Sequence, residues 1–387
     1  MIKKLGKTSV AILLSLSMIS CESKDTVSER WEDVVHLEGD ESEEQLYEKA
    51  KGEETLKVYT VTTRATKVKE SFERTYPGLH VEVKDLRSPD LVEAVKKSVD
   101  EKTGEADVVI CNDNSGAFRK ELVNTGKIVK YLPDDIASNM NNSQSDDVLT
   151  FMEEAELLFY NGKKYSECPI GNVWELTEEK YAGKIIMPSP LRSFSTYALC
   201  GTILHSDSQL ARAYVEYYGE EPKDEGELRI GEIFIERLFA NAVFSNSSDE
   251  VLELLGAENS SYDFGIMVSS KLRFCDLGYQ VKPVWKLEPF CGARISYAVM
   301  IAKQAKSINT AKLFIRYMLG GEDGKGEGIR PFQTEGTWSA RSDVSDASSI
   351  PLAKIPLLVP DSEMLIEQKE AIDTYFTELL KEHRVVE

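Results

Sequence analysis

Leu56-Lys57-Val58-Tyr59-Thr60-Val61-Thr62-Thr63-Arg64 is the stretch on which the reading of the fold turns. From Leu56 to Val61 apolar and polar residues alternate with the period of two that a half-buried strand requires, and Thr62-Thr63-Arg64 follows as a polar turn. Onward from there, Val68 to Tyr76 has helical spacing and is stopped by Pro77-Gly78. His80 to Val83 is predicted as a strand, Leu91 to Val99 as a helix and Asp107 to Cys111 as a buried strand. Strands alternating with helices predict an α/β fold with mostly parallel sheets covered by helices on both faces, because parallel neighbours need crossover connections.

The same pattern recurs downstream. Leu157 to Tyr160, Lys184 to Met187, Phe264 to Val268 and Tyr297 to Ile301 read as strands. Leu210 to Tyr217, Gly231 to Ala240, Thr310 to Leu319 and Ser362 to Lys381 read as helices. This count predicts two lobes, residues 45–150 plus 295–345 and residues 151–294 plus 346–387. The chain crosses between them near residues 150–156 and 291–296.

Upstream the character changes. Residues 21–44 are polar and acidic, ending in Glu41-Ser42-Glu43-Glu44, and read as a tether. Residues 1–20 begin Met1-Ile2-Lys3-Lys4 and continue as an apolar run from Val10 to Ile19, the pattern of a signal peptide that is removed on export. Met18-Ile19-Ser20-Cys21 resembles the lipobox of bacterial lipoproteins, with Met18 where Leu is usual. The resemblance implies that Cys21 is lipidated and anchors the exported chain to the membrane surface; a plain secreted protein is the alternative.

Across 387 residues, 46 Lys plus Arg oppose 66 Asp plus Glu, a formal charge of −20. Loss of residues 1–20 removes three lysines and no acid, so the mature charge is −23. Nucleic-acid binding, which works by neutralising phosphates with clustered cations, is excluded as a partner class. Beyond Cys21 the cysteines are Cys111, Cys168, Cys200, Cys275 and Cys291, an odd count without the spacing of a zinc site or a disulfide scaffold. A Cys275–Cys291 bridge is left open.

In open parallel sheets ligands bind beyond the carboxyl ends of the strands, against helix N-termini. Four strand-to-helix turns there carry hydroxyls and amides: Thr62-Thr63-Arg64, Asn112-Asp113-Asn114-Ser115, Ser195-Thr196 and Ser269-Ser270-Lys271. One such turn reads most simply as a helix cap, whereas four in matching positions read as a polar ligand cleft. No metal motif, nucleophile elbow or phosphate loop is present in the sequence, so no cofactor and no catalysis are expected.

Taken in order, several segments resemble the extracellular solute-binding proteins of ABC importers, with the type II periplasmic-binding fold, near the branch of ferric-ion and hexose-phosphate binders. They are Glu44 to Arg64, Asp107 to Phe118, Asn172 to Thr177 with Tyr181 to Pro188, Phe194-Ser195-Thr196, Asn309 to Ile315 and Gly336 to Asp343. The resemblance implies a monomer whose two lobes close on a small molecule and present it to membrane permease subunits. Ferric binders carry adjacent tyrosines where this chain has Ser269-Ser270, so iron is disfavoured. Tyr217-Tyr218, at a helix end, is expected to pack instead. Arg64, Lys271 and the hydroxyls suit an anion, a phosphorylated one included; Asp113, Asp263 and Tyr262 would suit a cation such as a polyamine or thiamine. A sensor lipoprotein of the same fold, signalling to a membrane histidine kinase, is the second functional class.

Overall fold

The computed structural model describes residue 31 and residues 37–112, 114–141, 147–222 and 228–381. Helix α1 (Glu43–Ala50) leads into strand β1 (Leu56–Thr60), α2 (Arg64–Thr75), β2 (Val81–Asp85), α3 (Ser88–Asp100) and β3 (Val108–Asn112). β1 lies between β2 and β3 and is parallel to both. The long strand β4 (Thr150–Asn161) opens the second half, with β5 (Ile185–Pro188), α4 (Phe194–Ile203), α5 (Asp207–Tyr218), α6 (Ile230–Asn241), β6 (Ala242–Ser245), α7 (Ser248–Gly256) and β7 (Phe264–Val268). Here β5 lies between β6 and β7, again parallel to both.

A second long strand, β8 (Gly292–Ala302), joins the halves. It runs antiparallel to β3 on one side and to β4 on the other, and β4 runs antiparallel to β7. The main path of the sheet is therefore β2-β1-β3-β8-β4-β7-β5-β6. Two parallel three-stranded halves flank an antiparallel pair, which is the two-lobed α/β architecture. Gly292 permits the close approach of that pair: a Cβ there would stand 2.0 Å from the Glu156 carbonyl oxygen.

After β8 come α8 (Ile308–Met318), α9 (Ser362–Glu367) and α10 (Lys369–Leu380). The single helix expected over residues 362–381 is thus two, broken at Gln368, where ψ rises to 2°. Asp361 caps α9 by accepting from the Glu363 and Met364 amides.

Each half has its own aromatic core. In the first, Phe72 meets Phe314 and Tyr317 edge-on at centroid distances of 5.3 and 5.5 Å. In the second, the fully buried Trp174 meets Tyr214 and Phe234 edge-on at 4.9 and 5.0 Å, and its Nε1 donates to the Leu210 carbonyl at 3.0 Å. Tyr217 and Tyr218 belong to this packing: Tyr218 lies against Trp174 and Tyr214, while the Tyr217 hydroxyl donates to Glu178. The acidic segment before α1 docks on the first half, where Glu41 pairs with the buried Lys312 of α8 and with Lys49. Cys275 and Cys291 do not pair, and no disulfide joins any of the five cysteines among the described residues.

Candidate functional site

The carboxyl ends of the parallel strands in the two halves face one another, and each strand hands over to a helix at that edge. Thr62-Thr63 leads from β1 into α2, Leu86-Arg87 from β2 into α3, residues 189–193 from β5 into α4, and Asn246-Ser247 from β6 into α7. The first residues of these four helices, two from each half, line one cleft of about 330 Å³. A helix start offers unpaired N–H groups and roughly half a positive charge. At α2 and α3 the N-cap residues Thr63 and Arg87 make no side-chain cap hydrogen bond. At α4 and α7, Ser193 and Ser247 accept from the Thr196 and Glu250 amides.

Side chains add to this field. Arg64, Arg87, Arg192, Lys271 and Arg273 line the cleft against the two carboxylates Asp85 and Asp249. Arg64 is 4% exposed; its Nε donates to Thr62 Oγ1 at 3.1 Å and its Nη2 pairs with the buried Glu154. Arg64 Nη1 is buried with no hydrogen-bond partner, and so is Oδ1 of Asn112, another lining residue. Lys271 donates to Asp249 at 2.5 Å, and burial pulls its ammonium below the ordinary lysine range against the pull of that carboxylate. Arg273 stacks on Phe274 at 4.3 Å, and burial followed by the charge of Arg64 lowers its guanidinium as well. Enclosure of Asp85, then the facing Asp249, raises the Asp85 carboxyl. The cleft thus holds mutually repelling cations from both halves, and an anion between them relieves that repulsion.

Beneath the floor lie two buried carboxylates, Glu154 and Glu156, both 0% exposed and on one face of β4. Glu154 has Arg64. Glu156 has hydroxyls only: Thr196 Oγ1 donates to it at 2.6 Å and Ser195 also bonds to it. Burial pushes the Glu156 carboxyl up to about 7 against those two hydrogen bonds. The Tyr297 hydroxyl, buried between them and the cleft, is raised well above its usual range by burial and then by Glu154.

Of the residues expected to form the site, Thr62, Thr63, Arg64, Asn112, Ser195, Ser270 and Lys271 come together in the cleft lining. Asp113 lies outside the described residues. Asn114 is held by the backbone of β8, accepting from the Ser296 amide at 2.6 Å and donating to the Arg294 carbonyl at 3.2 Å. Ser115 lines a second cavity of about 330 Å³, together with Phe194, Tyr197 and Lys369. Thr196 and Ser269 are fully buried one layer below; Ser269 Oγ accepts from the Ala155 amide at 2.9 Å and donates to the Gly336 carbonyl at 2.5 Å. Among the groups that would suit a cation, Asp263 is paired with Lys164 at 2.7 Å and, like Tyr262, does not line the cleft.

Arg87, Ser88, Ser247, Ser248 and Arg273 were not anticipated. Their signals are local: Arg87-Ser88-Pro89 has proline in a first helical turn, and Ser247 followed three residues later by Glu250 is a capping pattern. Glu154 and Glu156 carry no local signal, because their partners are distant in sequence. Among the described residues no group of His, Cys, Asp and Glu is arranged to hold a metal ion, and no helix is long and apolar enough to cross a membrane.

A search of curated proteins finds no match. Solved structures do match. AfuA from Actinobacillus pleuropneumoniae, a periplasmic binding protein with fructose-6-phosphate bound, aligns with a TM-score of 0.64 at 17% identity, covering 84% of this chain and 98% of its own. Iron-bound HitA from Pseudomonas aeruginosa aligns at 0.61 and 15% identity, covering 84% and 99%. AgtB from A. tumefaciens R10, in complex with agropinic acid, aligns at 0.61 and 14% identity, covering 85% and 99%. At these identities the likeness speaks for the fold, a type II periplasmic-binding architecture. Residues 59–325 match the bacterial extracellular solute-binding proteins over well more than half of the chain, and the chain belongs to that family.

Proposed function

We propose that this protein captures a small anionic solute, phosphorylated or carboxylated, by closure of its two lobes and delivers it to the membrane permease of an ABC importer. One observation carries the choice of an anion: four helix N-termini converge on a cleft where five cations, among them Arg64 with its unpartnered Nη1, face two carboxylates. The lining is contributed by both halves, so a ligand touching both stabilises the closed arrangement over the open one. The family assignment supports binding without turnover. The lobes divide as residues 45–150 plus 295–345 and residues 151–294 plus 346–387, with β4 and β8 as the crossings.

The match to AfuA makes sugar phosphates the first compounds to try. Calorimetric titration with sugar phosphates, phosphonates, small carboxylates and polyamines tests the reading, with saturable heat expected from at least one anion. Heat from a polyamine alone overturns it. Anchoring through Cys21 is read from a segment outside the described residues. Labelled fatty acid fed to expressing bacteria is expected to enter the wild-type chain and not the Cys21→Ser chain, and equal labelling of both rejects the anchor.

A further inference from the structure

Glu156 is connected to the ligand-facing surface through hydroxyl groups alone. Thr196 Oγ1 stands 2.6 Å from Glu156 Oε1 and 3.1 Å from Ser193 Oγ, which is 2.9 Å from Ser195 Oγ. Ser193 and Ser195 both line the cleft, whereas Thr196 and Glu156 are 0% exposed. Each hydroxyl has a single proton to donate, so the chain is directional and the carboxyl at its buried end decides the direction.

An ionised Glu156 only accepts. Thr196 and Ser195 then turn their protons down toward it and present lone pairs to the cleft. A proton on Oε1 reverses the order: Glu156 donates to Thr196, Thr196 to Ser193 and Ser193 to Ser195, and the Ser195 O–H, no longer drawn to a charged carboxylate, turns to donate into the cleft. One proton is added and no other covalent bond changes. We propose that Glu156 sets the donor polarity of the cleft floor, so that an anion binds together with one proton taken up at this carboxyl.

The inference rests on the anion reading of the cleft and adds proton linkage to it. The groups facing Glu156 favour such uptake. Glu154 repels its charge from the same strand, Cys200 and Tyr297 approach it from α4 and β8, and Lys271, after β7, opposes protonation. Its carboxyl already titrates near neutral pH, and a bound anion pushes it further in the same direction. Glu156 Oε2, buried without a partner, shows how little else holds the ionised form in place.

The test uses the full chain with inorganic sulfate and glucose 6-sulfate, anions that do not themselves titrate between pH 6 and 9. Calorimetry at pH 8 in two buffers of different ionisation heat counts protons. Uptake approaching one per anion is expected, with affinity falling up to about tenfold per pH unit above neutrality. In Glu156→Gln the carboxamide N–H₂ donates permanently to Thr196, so affinity becomes flat with pH and proton uptake disappears. Thr196→Ser keeps the relay and retains both. Should Glu156→Gln fail to fold, the wild-type proton count decides. Binding of a sulfate without proton uptake, or an unchanged pH slope in folded Glu156→Gln, overturns the inference. So does rejection of both sulfates by a protein that binds phosphates or carboxylates, which leaves the anion reading standing. Absence of binding by any anion removes both.

Discussion

Glu154 and Glu156 sit two residues apart on one buried face of β4, yet their charges are handled differently. Glu154 Oε1 accepts from Arg64 Nη2, so each of these buried groups has the other as its partner of opposite charge. Removing the guanidinium in Arg64→Ala strands Glu154; a loss of about 3–5 kcal/mol in urea unfolding is expected. Arg273→Ala strips no buried partner carboxylate, so about tenfold or greater weakening of anion binding with nearly unchanged stability is expected, read by calorimetry and a thermal melt. Glu156 has no cation of its own, and its folded value of about 7 lies above the ordinary 4.5. A carboxyl raised in the fold contributes stability that is full below pH 4.5 and is lost as pH rises through about 7. Glu156→Gln does not ionise. Relative to wild type it is therefore expected to gain stability across that window, on the order of 3 kcal/mol by pH 8, measured as urea midpoints at pH 4, 6 and 8.

At the scale of elements, Trp174 carries the most concentrated packing of the second half, with two edge-on rings and a satisfied Nε1. Trp174→Ala is expected to cost about 3–5 kcal/mol in urea unfolding, leaving a cavity that the T-shaped rings cannot fill. Its segment, Asn172 to Thr177, stood out in sequence by its family resemblance, and in the structure Asn172 and Glu175 form a reciprocal cap around a short turn there. Such local devices are legible in a sequence. So were the strand-to-helix turns, since the alternating run at β1 and the apolar runs at β3 and β7 give way to hydroxyl or amide residues. The long strand β4 was legible only from Leu157 to Tyr160. Glu153, Glu154 and Glu156 break its apolar run, and they are accommodated by Arg294, Arg64 and Thr196, each at least 40 residues away in the chain. The neighbours Ser269 and Ser270 show the same boundary at the site. Which of them faces the cleft depends on where Ala155 and Gly336 lie, and nothing near position 269 encodes that.

For the whole molecule, the joint between the halves determines how it moves. β4 and β8 are paired with each other from Gly292–Leu157 to Tyr297–Met152, with Arg294 bonded to Glu153 across the pair. Closure around a ligand is expected to contract the radius of gyration in small-angle scattering when a bound anion is present, and an unchanged radius argues for a preformed site. A joint made of paired strands bends by twisting, as a torsion bar does, and breaks no ladder hydrogen bonds in doing so. Amides at residues 152–156 and 292–297 should therefore exchange slowly with deuterium in both free and bound protein, while the helix starts around the cleft gain protection only on binding. A joint of loose loops would show the reverse, with fast exchange at the crossing that slows when the lobes close.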